Sequence, residues 1–133
     1  MTGALVDTSV WIDFFQDKAT PQAKRLEEML VAKEKICICG VILTEVLQGF
    51  RNDHDYHRAL FLFDPLNFLL MERKTFIRAA GLYRILRRQG ITIRNSVDCI
   101  IAAVAIENDV ALLHQDRDFD LIAESSPLKV IGA

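Results

Sequence analysis

The stretch ALVDTSVWIDFF, residues 4–15, has a short apolar run directly before an aspartate and two hydroxyl residues. The run 4–6 predicts a buried β-strand, and the pattern over 10–15 predicts the helix that follows it. Asp7 lies at the junction of the two. At this point two interpretations of Asp7 stay open: a cap for the first N–H groups of the helix, or one member of a site built from distant parts of the chain.

The same alternation of strand and helix continues along the chain. Further strands are predicted over 36–39, 68–71, 110–114 and 128–131, and further helices from Thr20-Pro21 onward and over 41–50, 75–88 and 97–107. The helix over 75–88 is predicted to face inward with Phe76, Ala79, Ala80, Tyr83 and Leu86. Because such strands pair in parallel through right-handed crossovers, we expect one domain over 1–133, a three-layer α/β/α sandwich with a parallel sheet of four to five strands.

Composition narrows the class of protein. With 51% apolar residues in 133, the chain can build one substantial core. It contains no apolar run long enough to span a bilayer and does not begin like a signal peptide, so we expect a cytoplasmic protein without membrane contact. The three cysteines, Cys37, Cys39 and Cys99, lie in apolar runs, which predicts buried thiols rather than disulfides or a zinc site.

Charge is unevenly distributed, although the net charge is only −2. The segment 73–97 holds seven of the 16 basic residues and none of the 18 acids. Such segregation is typical of a surface that binds a polyanion, and a solvated helix face is an equal alternative. The candidate contacts to a polyanion in this segment are Arg84, Arg87, Arg88 and Arg94.

Four acids do not fit a solvated surface. Asp7 and Asp116 each follow a predicted strand, so both should emerge at the carboxyl edge of the sheet, where α/β proteins bind ligands. Glu45 lies on the apolar side of its helix, and Asp98 lies in the first turn of an otherwise apolar helix. Each acid alone is explained by a cap, a turn or an ion pair. Together they would repel one another unless a cation neutralises them.

The chemistry of these acids favours a hard divalent ion. No histidine or cysteine accompanies them at useful spacing, so Mg²⁺ or Mn²⁺ is favoured over Zn²⁺. One or two such ions suit the hydrolysis of a phosphodiester by an activated water. Thr8, Ser9 and Ser96 are candidates for orienting the carboxylates or the water, although capping explains Ser96 equally well.

Four segments, LVDTSVWI, ILTEVLQGF, SVDCIIAAVAIEND and LLHQDRDFDLIA, resemble in this order the PIN-domain ribonucleases, and among them the VapC-type toxins of type II toxin–antitoxin systems. The resemblance implies a catalytic, metal-binding quartet of Asp7, Glu45, Asp98 and Asp116, with Asp118 as a further possible ligand. It also implies the strand order 3-2-1-4-5, a homodimer, and a heteromeric complex with a VapB-type antitoxin that inserts a C-terminal segment into the acidic groove.

The resulting hypothesis is a Mg²⁺-dependent endoribonuclease toxin that arrests translation. By the same resemblance it would leave a 5′-phosphate and a 3′-hydroxyl, and its target is open among tRNA, ribosomal RNA and mRNA. A non-catalytic RNA-binding or interaction module and a structure-specific DNA nuclease are alternatives. A phosphotransferase of the haloacid dehalogenase type is disfavoured, because that family has an aspartate where this chain has Ser9.

Overall fold

The computed structural model describes residues 3–132, and the parallel sheet at its centre confirms the predicted fold class. Its neighbours lie in the order β3-β2-β1-β4, and in register Leu5 pairs with both Cys37 and Leu112. This order matches the first four places of the predicted one. The predicted domain 1–133 also includes residues 1, 2 and 133, which lie outside the described residues. The strands are β1 (Ala4–Val6), β2 (Ile36–Cys39), β3 (Asn67–Leu69) and β4 (Ala111–Leu113).

The predicted fifth strand over 128–131 is reduced to a single bridge. Val130 pairs in parallel with Leu112 at the outer side of β4, which is the fifth place in the predicted order. The N–H of Leu112 donates to the carbonyl of Lys129, and the N–H of Ile131 donates back to Leu112, each at 2.9 Å. Because one residue alone takes part in the pairing, the sheet has four strands in the described chain.

Seven helices flank the sheet within residues 3–132, and each predicted helix is among them with shifted ends. The first begins at Thr8, earlier than predicted, because the Asp7 side chain accepts from the N–H of Ser9 and caps it. The fourth and the last helix are not among those predicted, and the last packs Phe119 and Ile122 into the core. The helices are α1 (Thr8–Phe15), α2 (Pro21–Val31), α3 (Gly40–Leu47), α4 (Asp53–Phe63), α5 (Arg73–Arg88), α6 (Ser96–Glu107) and α7 (Arg117–Glu124).

The predicted inward face of α5 is partly wrong. Phe76 is 45% exposed, and it lies with Ala80 and Tyr83 along a surface groove between α5 and α6. The Thr75 hydroxyl donates to Glu107 Oε1 of α6 at 2.7 Å and turns a polar residue inward, which sets the rotation of α5. The buried side of α5 therefore consists of Thr75, Ala79, Leu82 and Leu86.

Helix α6 positions the functional edge because it is buried almost all round. Residues 101–105 are at most 1% exposed, so the helix lies inside the core rather than on it. The three cysteines are buried free thiols, as predicted. Within the described residues, no helix is both long and apolar enough to cross a membrane.

Candidate active site

The elements deliver the predicted acids to the carboxyl edge of the sheet. Asp7 directly follows β1 and caps α1, and Asp116 lies at the equivalent place after β4, where it caps α7. Glu45 belongs to α3, which begins immediately after β2. Asp98 lies in the first turn of α6. The interpretations of Asp7 as a cap and as a site residue are therefore compatible, since one side chain does both.

The first half of this edge, Asp7 and Glu45, is held by hydroxyl groups, and we call it the hydroxyl-supported pair. Asp7 is 6% exposed, and its Oδ2 accepts from the Ser9 hydroxyl at 2.6 Å and from the Ser9 N–H at 3.2 Å. The Thr8 hydroxyl donates to Glu45 Oε1 at 2.7 Å. Adjacent residues of α1 thus orient two acids that lie far apart in the sequence.

The second half is an aspartate triad of Asp98, Asp116 and Asp118. Each offers one carboxylate oxygen, and these three oxygens lie within 4.8 Å of one another. Asp116 Oδ1 accepts from the N–H of Asp118 at 2.9 Å. Asp118 is 5% exposed, and its buried Oδ2 has no hydrogen-bond partner in the part of the chain that is described. Such an oxygen is costly unless a cation satisfies it.

The two halves act on each other electrostatically. Burial, followed by the charges of Asp7, Asp116, Asp118 and Glu45, raises the pKa of Asp98 to about 7. Burial also raises the pKa of Asp7, more than its hydrogen bonds with Ser9 lower it. Carboxylates that make one another harder to ionise are the sign of an anionic site in need of a counter-ion.

The oxygens of the aspartate triad fit a hard divalent ion. Ligand distances of about 2.0–2.6 Å put opposite oxygens of one ion about 4–5 Å apart, so three oxygens within 4.8 Å of one another can share one ion. The unpaired Asp118 oxygen supplies the donor that such an ion would satisfy. Asp118 is therefore as strong a candidate ligand as Asp98 and Asp116, although the sequence indicates it only as a further possible ligand.

Three of the basic candidates lie on α5, and Arg94 lies apart from them. Arg94 brings its Nη2 to 3.5 Å from Asp116 Oδ1 and its Nε to 3.6 Å from Asp118 Oδ2. Arg84 lines the groove between α5 and α6, as does Ser96, and Arg88 is exposed at the end of α5. The Arg87 guanidinium lies 5.6 Å from the Tyr83 ring centroid. Among these candidates, Arg94 alone is described in contact with the acids.

His114 is a site residue that sequence reasoning missed. It is 8% exposed, its Nδ1 accepts from the N–H of Asp116 at 3.1 Å, and its Nε2 lies 3.2 Å from Asp120 Oδ1. It also packs against the Phe119 ring. The signal available in the sequence was a polar residue at the end of a predicted strand, two residues before Asp116. His114 thus holds the turn that carries two members of the triad.

Known proteins resemble this chain in sequence and in fold. The chain matches the family model described as "PIN domain" over residues 4–125. It is 35% identical over 127 residues to VapC ribonuclease Mb1587 of Mycobacterium bovis and to ribonuclease VapC11 of Mycobacterium tuberculosis, covering 94% of this chain and 95% of each relative. Its fold is similar to that in the crystal structure of VapBC2 from Rickettsia felis bound to a DNA fragment from their promoter, with a TM-score of 0.76, 19% identity and 96% coverage of both chains.

Proposed function

The chain belongs to the PIN-domain family, and we propose that it is a metal-dependent endoribonuclease, the VapC-type toxin of a type II toxin–antitoxin system. The observation that carries the proposal is the aspartate triad beside the hydroxyl-supported pair at the carboxyl edge of a parallel sheet. The names of relatives 35% identical over nearly the full chain support the ribonuclease activity.

We assign Asp98, Asp116 and Asp118, with Asp7 beside them, as the residues that would hold a divalent ion. All their donor atoms are carboxylate oxygens, which favours Mg²⁺ or Mn²⁺. When bound, such an ion stabilises charge on the phosphodiester oxygens and makes water a competent nucleophile near neutral pH. Catalytic roles of Asp7, Glu45, Asp98 and Asp116 belong to this proposal.

The chain's own residues contribute orientation. Thr8 engages Glu45 Oε1, so we assign the other oxygen, Oε2, to accept a hydrogen bond from the attacking water. Ser9 holds Asp7 at Oδ2 from both its hydroxyl and its N–H, which limits the rotation of a carboxylate that is already buried. Orientation before the reaction reduces the entropy lost on reaching the transition state.

The substrate in this proposal is RNA, cut to leave a 5′-phosphate and a 3′-hydroxyl, with arrest of translation as the physiological effect. The target stays open among tRNA, ribosomal RNA and mRNA. Such an activity implies a cytoplasmic protein. The basic residues Arg84, Arg87 and Arg88 stay predictions as RNA contacts, since RNA backbones attract exposed arginines in general.

The proposed partner is a VapB-type antitoxin, supported by the VapBC complexes among proteins of similar fold. The homodimer and the Ser96 role stay predictions. Co-expression with the product of a neighbouring small reading frame should yield a complex in which cleavage is suppressed. Light scattering on the isolated protein tests the homodimer, which a mass near 15.1 kDa would contradict.

Cleavage by purified protein tests the proposed activity. We expect wild type with Mg²⁺ or Mn²⁺ to cut RNA, and we expect EDTA or Asp7→Asn to abolish cutting. The matched control is Asp64→Asn, the same chemical change at an exposed acid that ends α4. RNA cleavage that persists in EDTA or in Asp7→Asn would contradict the metal-site assignment. RNA binding without cleavage would support the non-catalytic module, and preferential cutting of DNA the DNA nuclease.

A further inference from the structure

A pocket of about 540 Å³ opens directly beside the aspartate triad. It lies between the segment that joins α5 to α6 and the beginning of α7. Gly90, Thr92, Arg94 and Arg117 contribute to its walls, and Asp118 connects it to the triad. The volume is in the range of pockets that hold small organic ligands. Two arginines in its lining favour an anion, although the neighbouring site is strongly acidic.

Arg94 offsets part of the negative charge of the triad but forms no hydrogen bond with it. Both of its nitrogen-to-oxygen distances, 3.5 and 3.6 Å, exceed the usual hydrogen-bond length, and its side chain is 77% exposed. The Asp118 Oδ2 that it approaches remains without a hydrogen-bond partner among the described residues. Although Asp118 is buried, the guanidinium end of the pair is exposed and makes no hydrogen bond with it, so a divalent ion with twice the charge can replace the guanidinium.

We propose that Arg94 is an exchangeable counter-ion: it neutralises Asp116 and Asp118 when these carboxylates hold no divalent ion, and otherwise binds, with Arg117, a backbone phosphate of RNA in the adjacent pocket. The counter-ion part rests on the proposed metal site alone, and the phosphate part rests on the proposed ribonuclease activity as well. The site assigned here is a phosphate subsite next to the point of cleavage, formed by Arg94 and Arg117.

The charges at the carboxylates and the position of Arg94 at the edge of the pocket both favour the exchange. The same carboxylate oxygens cannot be close to a guanidinium and to a divalent ion without placing two cations against each other, so neutralisation by the ion releases Arg94. A released guanidinium on an exposed connecting segment reaches the pocket that it already lines. Its planar donors match two oxygens of a phosphate, and Arg117 faces the same space from α7.

Calorimetry on the metal-free protein tests the counter-ion. We expect Arg94→Gln to bind Mg²⁺ and Mn²⁺ about two- to tenfold more tightly than wild type, because no cation then competes for the carboxylates. The control is Arg25→Gln, which removes an ion pair of equal length, 3.6 Å to Glu34, far from the acids in the sequence. Unchanged or weaker metal binding by Arg94→Gln, with wild-type circular dichroism, would overturn the exchange.

RNA binding tests the phosphate subsite. In EDTA, fluorescence anisotropy with a labelled single-stranded RNA should show Arg94→Gln within about twofold of wild type, because Arg94 is then held by the carboxylates. Arg117→Gln should weaken binding and lower the salt slope of log K by about 0.7, the value of one single-strand phosphate contact. With Mg²⁺, both variants should raise KM for cleavage about three- to tenfold with a smaller change in kcat.

The outcomes separate this inference from the proposed function. If wild type binds metal but cuts no RNA, the ribonuclease proposal fails, and calorimetry still decides the counter-ion role. If wild type cuts RNA and Arg94→Gln matches it in both metal affinity and KM, the inference alone fails. Weaker RNA binding by Arg94→Gln, equal in EDTA and in Mg²⁺, would show a permanent phosphate contact and would also overturn the exchange.

Discussion

The two halves of the acidic edge are built in different ways. In the hydroxyl-supported pair, Ser9 and Thr8 donate to Asp7 and Glu45 at 2.6 and 2.7 Å. In the aspartate triad, a buried oxygen of Asp118 has no such donor among the described residues, and the nearby cation is an exposed arginine at 3.6 Å. The hydroxyl-supported pair is stabilised by hydrogen bonds from its neighbours in α1. The aspartate triad needs a cation to balance its charge.

This difference separates the residues that are held in one orientation from those that are left open to bind an ion. Groups that must hold one position are fixed by short bonds from adjacent residues of α1. Groups that must accept an ion keep oxygens without strong donors, and burial together with mutual repulsion then raises the pKa of Asp98 to about 7. The comparison predicts that substitutions in the triad mainly affect metal binding, whereas substitutions of the hydroxyls mainly affect turnover.

The largest effect is expected for Asp98→Asn. It removes one of three converging carboxylates, so we expect kcat/KM for RNA cleavage to fall at least about 10²–10³-fold, together with the affinity for Mg²⁺. Steady-state cleavage and calorimetry measure the two quantities. The control is again Asp64→Asn, which should behave as wild type in both. Retained metal affinity in Asp98→Asn would show that the triad is not the binding half.

A smaller effect is expected for Thr8→Val, which removes the hydroxyl that holds Glu45 and keeps the shape of the side chain. We expect kcat to fall about 10–100-fold, as for other residues that orient a site from outside it. Mg²⁺ affinity should change by less than about threefold, since the triad is intact. Thr8→Ser keeps the hydroxyl and should restore most of the turnover. Equal loss in Thr8→Ser and Thr8→Val would contradict a hydrogen-bonding role.

Much of this architecture could be predicted from the sequence because local patterns carry it. Strand-then-helix alternation predicted the parallel sheet, and acids at strand ends predicted which edge carries the site. The packing of α5 could not be predicted in full, because Phe76 and Tyr83 satisfy helical periodicity as well as the residues that are actually buried. A hydrogen bond from Thr75 to α6 decides the rotation, and no local pattern reveals it.

Within the site, residues that look equivalent in the sequence are separated by the fold. Ser96 is the first residue of α6 and lies in the groove beside α5, whereas Asn95 directly before it caps the helix by accepting from the N–H of Val97. In the sequence, Arg94 is one of four basic candidates. In the structure, the segment between α5 and α6 places it beside Asp116 and Asp118. Such placements depend on long-range packing rather than on spacing along the chain.

The smallest effect is expected in the pH dependence of the melting temperature, and it distinguishes the aspartate triad from the hydroxyl-supported pair. A carboxyl whose pKa is about 7 when folded and near 3.8 when unfolded binds more protons in the folded state between these values. Its contribution to the free energy of unfolding is therefore full at low pH and is lost as pH rises through 7. Asp98→Asn removes this loss, so the metal-free variant should melt about 2–6 °C above wild type at pH 8 and converge with it as pH falls below 3.8. Saturating Mg²⁺ should raise the melting temperature of wild type more at pH 8 than at pH 5.5, because protons compete for Asp98 at the lower pH.

Differential scanning calorimetry of both proteins, with Asp64→Asn as control, measures the difference in melting temperature. A difference that does not change with pH would mean that Asp98 titrates like a surface acid. The triad would then have no unmet need for a cation.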